Sequence, residues 1–180
     1  MLISRLALSA SVVVFALASG TGAIAAERTS KDARVIADVH ACATADLNGN
    51  VVSDGAATGH DLFTVQLTNK STQSCTLHGW ANIVLLDASG NPIGTSLTQT
   101  GDPNSPIVTL APGAIASFVA NTDHIPDPQE EQTGCGQASF YNVTVPGQVT
   151  ALKLALPGGP YDACQGGEVD EDPFQAGSGE

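Results

Sequence analysis

The sequence predicts an all-β protein, an antiparallel β-sandwich of the immunoglobulin-like kind with about seven to nine strands and two disulfides. Three observations support this prediction. Runs rich in valine, threonine and isoleucine recur along residues 35–173, and Gly and Pro interrupt them about every eight to twelve residues. Beyond the N-terminal segment, no stretch of about ten residues has the apolar repeat of a helix. The chain also contains four cysteines, an even number.

The first 25 residues have the features of a secretory signal peptide. A basic residue, Arg5, precedes an apolar run from Leu6 to Leu17, and small residues lead to an Ala-x-Ala site at Ala23–Ala25. The apolar run is shorter than the roughly 20 residues that a membrane-spanning helix needs. We therefore expect cleavage after residue 25, no membrane span in the mature chain, and secretion to the extracellular space or the cell wall. Residues 26–34 are polar and are expected to form a flexible leader.

Residues 35–173 are predicted to form a single β-sandwich domain, whose first strands have the most regular pattern. Asn48-Gly49 is typical of a two-residue hairpin turn. Residues 61–69 alternate in polarity, as a half-buried strand requires. The inward side chains of this strand are expected to be Phe63, Val65 and Leu67. Residues 83–86 are all apolar, which favours a strand that is covered on both faces or that lies at the centre of a sheet.

The second half of the domain continues this series of strands and turns. A turn is expected at residues 88–92, which include Gly and Asn at positions that tolerate positive φ. Further strands are expected within residues 105–113, 114–120, 138–147 and 149–158. The residues around Val169 are expected to add an edge strand. Residues 174–180 are expected to form a frayed acidic tail.

The cysteines indicate disulfides rather than a metal site. Cys42, Cys75, Cys135 and Cys164 all follow the signal peptide, and none of them forms a Cys-x-x-Cys pair. An even number of cysteines in a secreted chain is typical of disulfides, and four cysteines allow three pairings. Their order along the chain favours pairs of neighbours, Cys42 with Cys75 and Cys135 with Cys164.

The charge of the chain argues against nucleic acid as a partner. The formal net charge is −12, and the only basic residues after residue 35 are Lys70 and Lys153. An acidic surface repels phosphate, so nucleic acids and anionic membranes are disfavoured partners. We expect a monomer whose partner is a protein or a component of the cell wall.

The order of several motifs resembles a known family. Gly59-His60 is followed by a strand, then by Cys75-Thr76-Leu77-His78-Gly79-Trp80, and then by Leu85-Leu86-Asp87. In this order, and in its late cysteines, the chain is similar to secreted actinobacterial proteins grouped as domain of unknown function 4232. The resemblance covers about residues 42–169, although the family usually has a proline where this chain has Ala81. It implies a sandwich fold and export, and it implies no activity.

Metal and cofactor sites receive no support from the sequence. The histidines are too widely spaced for a short metal-binding motif; they are His40, His60, His78 and His124. The segment from Asp46 to Asn50 alternates oxygen ligands as a calcium loop does, but Val51 and Ala57 occupy positions where an EF-hand requires Gly and Glu. We expect no cofactor.

The sequence therefore predicts a binding protein rather than an enzyme. No Gly-x-Ser-x-Gly elbow is present, and the paired cysteines leave no free thiol as a nucleophile. The candidate binding surface consists of His60, His78 and Trp80 on two segments, residues 55–60 and 77–80, which the first disulfide is expected to hold together. The predicted function is a non-catalytic binding or structural module of the cell envelope. The alternative is a hydrolase or a metal-dependent enzyme whose site is built from the loops of the sandwich.

Overall fold

The computed structural model describes residues 39–179, and almost all of its regular structure is β. The predicted signal peptide and flexible leader lie outside the described residues. The strands are β1 (Leu47–Ala57), β2 (His60–Asn69), β3 (Cys75–Leu77), β4 (Asn82–Leu86), β5 (Ser96–Gln99), β6 (Val108–Leu110), β7 (Ile115–Asp123), β8 (Gly136–Ala138), β9 (Phe140–Thr144), β10 (Leu152–Ala155), β11 (Tyr161–Ala163), β12 (Glu168–Glu171) and β13 (Gln175–Ala176). A 3-10 turn (Thr44–Asp46) and a single-turn helix α1 (Glu130–Thr133) complete the fold.

The strands form one large sheet and three smaller ones. The large sheet has the order β1-β2-β7-β12-β5, and β13 pairs with β7 beyond the end of β12. The small sheets are β10-β9-β4, β11-β8 and β3-β6. The all-β class and the antiparallel pairing are confirmed, with one parallel pair, β5 with β12. The strands number more than the predicted seven to nine because five of them have three residues or fewer.

The first hairpin turns at a different place from the one that the sequence predicts. Asn48-Gly49 was expected to form the turn, but both residues lie inside β1, and the turn is formed by Thr58 and Gly59 with φ values of 51° and 92°. Gly49 has a packing role instead, since a Cβ atom at this position would lie 2.6 Å from a methyl carbon of Leu154. The glycine lets the sheet that contains β10 approach β1 closely.

The core lies between the large sheet and the sheet that contains β9. Phe63, Val65 and Leu67 are completely buried, which confirms the alternation predicted for β2. The Phe63 ring meets the Tyr141 ring edge-on, with 5.6 Å between the ring centroids. Tyr141 is completely buried, and its hydroxyl group lies 2.6 Å from Oγ1 of Thr122 on β7. Aromatic contact and a buried hydrogen bond thus join the two layers.

Both disulfides have the predicted pairing. Cys42 is bonded to Cys75, and Cys135 is bonded to Cys164. The first bridge joins the segment before β1 to β3, and both of its residues are buried in the core. The second bridge joins the loop after α1 to the loop before β12.

The C-terminal part of the domain is more ordered than the sequence predicts. The strand around Val169 was expected at a sheet edge, but β12 pairs with β7 on one side and with β5 on the other. The frayed tail is also wrong for most of its predicted length. Phe174 is buried against Phe118, β13 pairs with β7, and the Gln66 side chain donates a hydrogen bond to the carbonyl oxygen of Ser178. Between residues 39 and 179, no helix has the length and apolar character that a membrane crossing requires.

Candidate functional site

His78 and Trp80 hold a loop against the end of β3. The indole N–H of Trp80 donates a hydrogen bond of 2.9 Å to the carbonyl oxygen of Thr100. Nε2 of His78 lies 3.1 Å from the carbonyl oxygen of Ser105, so this nitrogen is the donor. The two bonds fix both ends of the loop at residues 100–105, which follows β5 and leads to β6. His78 is exposed and Trp80 is half-buried, so part of each side chain faces solvent.

His60 lies in a different part of the molecule. It begins β2 and is paired with Asp123 on β7. Two strands, β7 and β12, lie between β2 and β5, and the β5 residue in line with His60 is Ser96, four positions before Thr100. The backbones of His60 and Thr100 are therefore about three strand spacings apart across the sheet and about four residues apart along it, roughly 19 Å in all. The first disulfide is near the opposite end of β2, where the Asn69 side chain bonds to the strand that pairs with Cys75. The structure therefore separates the two segments that the bridge was expected to hold together.

A cleft opens beside the loop that His78 and Trp80 hold. Its volume is about 590 Å³, and its walls are residues 105–109 on one side and residues 172–176 on the other, with Gly101 at one end. The exposed side chain of Ile107 lines the first wall, and 65% of its surface is accessible. Phe174 is buried in the opposite wall. The cleft is thus mainly apolar, which is typical of sites that bind ligands or peptides.

Few polar side chains lie in this cleft. Oγ of Ser105 is buried and has no hydrogen-bond partner among the described residues. The Asp172 carboxylate accepts a hydrogen bond of 2.6 Å from the hydroxyl group of Thr100. Neither lysine of the described chain, Lys70 or Lys153, lines the cleft. The site therefore offers an apolar surface with one negative charge.

A buried carboxyl group, that of Glu171, lies next to the wall of the cleft. Glu171 directly precedes Asp172 and is completely buried, and its Oε1 accepts a hydrogen bond of 2.6 Å from the backbone N–H of Ala81. Its other oxygen has no partner among the described residues. Burial raises the pKa of Glu171 from 4.5 to about 8, although the bond from Ala81 lowers this pKa and the nearby Asp172 raises it. Glu171 is therefore mostly protonated at pH 7 and joins β12 to the segment after Trp80.

A second group of polar residues lies next to His60 in β2 and at the paired end of β7. Nδ1 of His124 lies 3.4 Å from a carboxylate oxygen of Asp61. The Asp123 carboxylate accepts hydrogen bonds from the backbone N–H of Ile125 and from the Gln165 side chain. Within residues 39–179 no hydroxyl or thiol group hydrogen-bonds to a ring nitrogen of His60 or His124.

The four histidines do not gather into a metal site. Among the described residues, the group of three potential metal-binding side chains consists of Glu130, Cys135 and Cys164. The two sulfur atoms of this group are bonded to each other in the second disulfide, so neither is a thiolate. The Glu130 carboxylate accepts hydrogen bonds from the backbone N–H groups of Gly166, Asp127 and Gln165, and these bonds lower its pKa. The group therefore has a structural role, linking α1 and the segment after it to the loop before β12.

The sequence singled out His78 and Trp80 as part of a binding surface, but it predicted neither their contacts with the loop at residues 100–105 nor the cleft itself. Ile107 lies within residues 105–113, for which the sequence predicts a strand, and the opposite wall falls between the edge strand predicted around Val169 and the predicted tail at residues 174–180. The burial of Glu171 could have been predicted, because Val169 and Glu171 are two positions apart in one strand and their side chains therefore lie on the same, inward face. The meeting of residues 105–109 with residues 172–176 had no sequence signal, since the two walls are far apart along the chain.

Comparisons with known proteins give a family and no activity. Residues 42–178 match a protein-family model described as Domain of unknown function (DUF4232). The match begins at the first cysteine and ends after β13, so it includes both disulfides and both walls of the cleft. Neither the search among curated proteins nor the search among solved structures finds a match to the chain.

Proposed function

The chain belongs to the DUF4232 family, as its motifs predicted, and we propose that it is a non-catalytic extracellular binding module of the cell envelope. The cleft between residues 105–109 and residues 172–176 is its binding site. This assignment depends mainly on one observation, the apolar cleft with the exposed Ile107 side chain on its wall. An exposed apolar side chain at a concave site is a common feature of surfaces that bind a partner.

The polar groups of the cleft favour binding over turnover. Catalysis generally requires titratable groups that are directed at a reacting centre. Asp172 is engaged by the hydroxyl group of Thr100, and Nε2 of His78 is engaged by the Ser105 carbonyl. No nucleophile and base hydrogen-bond to each other among the described residues that line this cleft. The loop contacts thus hold the shape of the cleft and leave its apolar wall to meet the partner.

Export is supported by the cysteines and by the N-terminal pattern. Both disulfides lie within the family domain, and disulfides persist in oxidising compartments outside the cytoplasm. The first 25 residues have the pattern of a secretory signal peptide. We place the mature protein outside the cell or in the cell wall, where its partner is a protein or a wall component.

Binding to the envelope can be tested with a change on the cleft wall. We expect the purified mature protein to bind saturably to cell envelopes of the producing organism in a sedimentation assay. Ile107→Asp should weaken this binding by at least about tenfold, because it places a charge where the partner would bury an apolar side chain. Val149→Asp is the matched control, since Val149 is fully exposed and does not line the cleft, and it should leave binding unchanged.

The same preparations distinguish binding from catalysis. They should release no product from wall, peptide or ester substrates. Turnover that disappears in His60→Ala or His124→Ala, while the circular dichroism spectrum stays native, would replace the binding proposal with the loop-built hydrolase. Turnover that depends on an added metal ion and disappears with a chelator would replace it with a metal-dependent enzyme. Equal envelope binding by wild type and Ile107→Asp would place the binding surface elsewhere.

A further inference from the structure

One wall of the cleft is the free edge of a β-strand. The backbone N–H of Thr76 on β3 donates to the carbonyl oxygen of His40, and its own carbonyl accepts from the N–H of Cys42. Both groups of Thr76 thus point away from β6. Successive residues of a strand direct these groups to opposite sides, so the ladder with β6 is formed by the neighbours of Thr76. Thr109 lies directly opposite Thr76 and must direct its own N–H and C=O away from β3.

The outward groups of Thr109 have no partner within the described part of the chain. No backbone or side-chain group between residues 39 and 179 forms a hydrogen bond with its N–H or C=O. Thr109 is exposed, and both it and the neighbouring Ile107 line the cleft. Backbone N–H and C=O groups at a strand edge are a template for pairing with another chain.

The opposite wall has a second free strand edge. The N–H of Gly177 donates to the carbonyl oxygen of Ile115 on β7, so the alternation along β13 directs the N–H and C=O of Ala176 away from β7. A continuation of β5 beyond Thr100 would cover this edge. The chain instead turns away at Gly101, whose φ of 78° suits glycine. Ala176 lines the cleft and, like Thr109, is exposed.

The Thr109 edge matches the geometry of an extended peptide. An extended segment directs its N–H and C=O groups sideways and its side chains alternately up and down. Main-chain hydrogen bonds to a free edge then contribute affinity, and pockets for alternate side chains contribute specificity. Ile107 and Phe174 line the cleft and supply apolar contacts for such side chains beside this edge.

The charge of the cleft indicates the kind of peptide. Asp172 is on one wall, and no basic side chain lines the cleft. The whole chain has a formal net charge of −12. A basic partner would associate faster with this acidic surface, and an acidic partner would be disfavoured by like charge. A segment that contains lysine or arginine beside apolar, β-branched residues therefore fits best.

We propose that the cleft binds an extended, basic peptide segment of a partner protein, which adds as a strand along the Thr109 edge of β6. This inference rests on the proposed binding function and names the partner class for the same cleft. Strand addition also explains why the site has so few polar side chains, because the main chain supplies the hydrogen bonds.

A random library of nine-residue peptides is the probe. Selection on the full mature protein should enrich peptides with lysine or arginine and with alternating valine, isoleucine or threonine. In the free protein the amide proton of Thr109 should exchange rapidly with solvent. A selected peptide should slow this exchange by at least about tenfold, because the amide gains a hydrogen-bond acceptor. Exchange at Leu77, which is already paired within the β3–β6 sheet, should change much less.

Two kinds of variant test the role of the main chain. Thr109→Pro removes the outward N–H without breaking the ladder to β3 and should weaken peptide binding about tenfold. Thr109→Ala keeps this N–H and is the matched control, with affinity within about twofold of wild type. If Thr109→Pro does not fold, peptides N-methylated at alternate positions replace it. One set of positions should abolish binding, and the set between them should preserve it.

The outcomes separate this inference from the proposed function. Envelope binding that is sensitive to Ile107→Asp, together with no enriched basic peptide or with unchanged exchange at Thr109, would overturn strand addition and leave the binding function standing. Enriched acidic peptides would overturn the charge assignment. Absence of envelope binding would instead remove the function on which the inference rests, and with it the inference.

Discussion

Replacing both Cys42 and Cys75 by alanine is expected to lower the free energy of unfolding by about 4 kcal/mol. The two cysteines are 33 positions apart, and opening a loop of this length increases the conformational entropy of the unfolded chain. Both residues are also buried, so the variant loses packing in the core. Total stabilities of single domains are about 5–15 kcal/mol, and the change should be measurable as a lower midpoint in urea unfolding.

The second disulfide is the matched comparison for this prediction. Cys135 and Cys164 are 29 positions apart, so their replacement by alanine should have nearly the same effect on the entropy of the unfolded chain. Cys135 is only partly buried, so less packing should be lost and the destabilisation should be smaller. Both variants should keep a native near-ultraviolet circular dichroism spectrum at low urea. A loss below about 1 kcal/mol for the first bridge would show that it contributes little to stability.

Local patterns predicted the parts of the fold that have a local cause. The alternation of Phe63, Val65 and Leu67 identified a half-buried strand, because side chains on successive residues of a strand point to opposite faces. The order of the cysteines gave the correct pairs.

Features that depend on distant contacts were harder to predict. Asn48-Gly49 has the composition of a hairpin turn, yet its glycine accommodates Leu154, which is about a hundred residues further along the chain. The tail after residue 173 looked too polar to fold, but Phe174 packs on Phe118 and β13 covers part of β7. Neither partner can be identified from the composition of the short segments themselves.

The candidate site likewise combines features that the sequence predicted with features that depend on distant contacts. The sequence drew attention to His78 and Trp80, and both hold the loop that borders the cleft. It also grouped them with His60, because the disulfide was expected to act over a longer distance than it does. The free edge of β6 could not be predicted, since it results from the pairing of Thr76 with the segment at His40. Which edge of a strand stays unpaired depends on how all the other segments of the chain pair around it.

The stability of the protein is expected to fall as the pH rises from about 5 to 8, because Glu171 is protonated in the fold. Its pKa is 4.5 in the reference state and about 8 in the folded protein, chiefly through burial. Between these values the folded protein keeps a proton that the unfolded chain has released, so rising pH favours unfolding. The full shift corresponds to a loss on the order of 5 kcal/mol, of which about 3.5 kcal/mol falls between pH 5 and 8. The midpoint of urea unfolding at a series of pH values measures it.

Glu171→Gln should remove this dependence and isolate its cause. Glutamine is neutral at every pH, and its side-chain oxygen can still accept the hydrogen bond from the Ala81 N–H. The variant should be more stable than wild type above pH 8 and close to it, or somewhat less stable, near pH 5. Glu168→Gln removes a partly exposed carboxylate from the same strand and should keep the wild-type slope. A wild-type stability that stays constant from pH 5 to 8, or a slope that survives in Glu171→Gln, would show that Glu171 is ionised in the fold. The Ala81 N–H would then donate to a buried carboxylate, and the link between β12 and the Trp80 segment would be an ionic hydrogen bond.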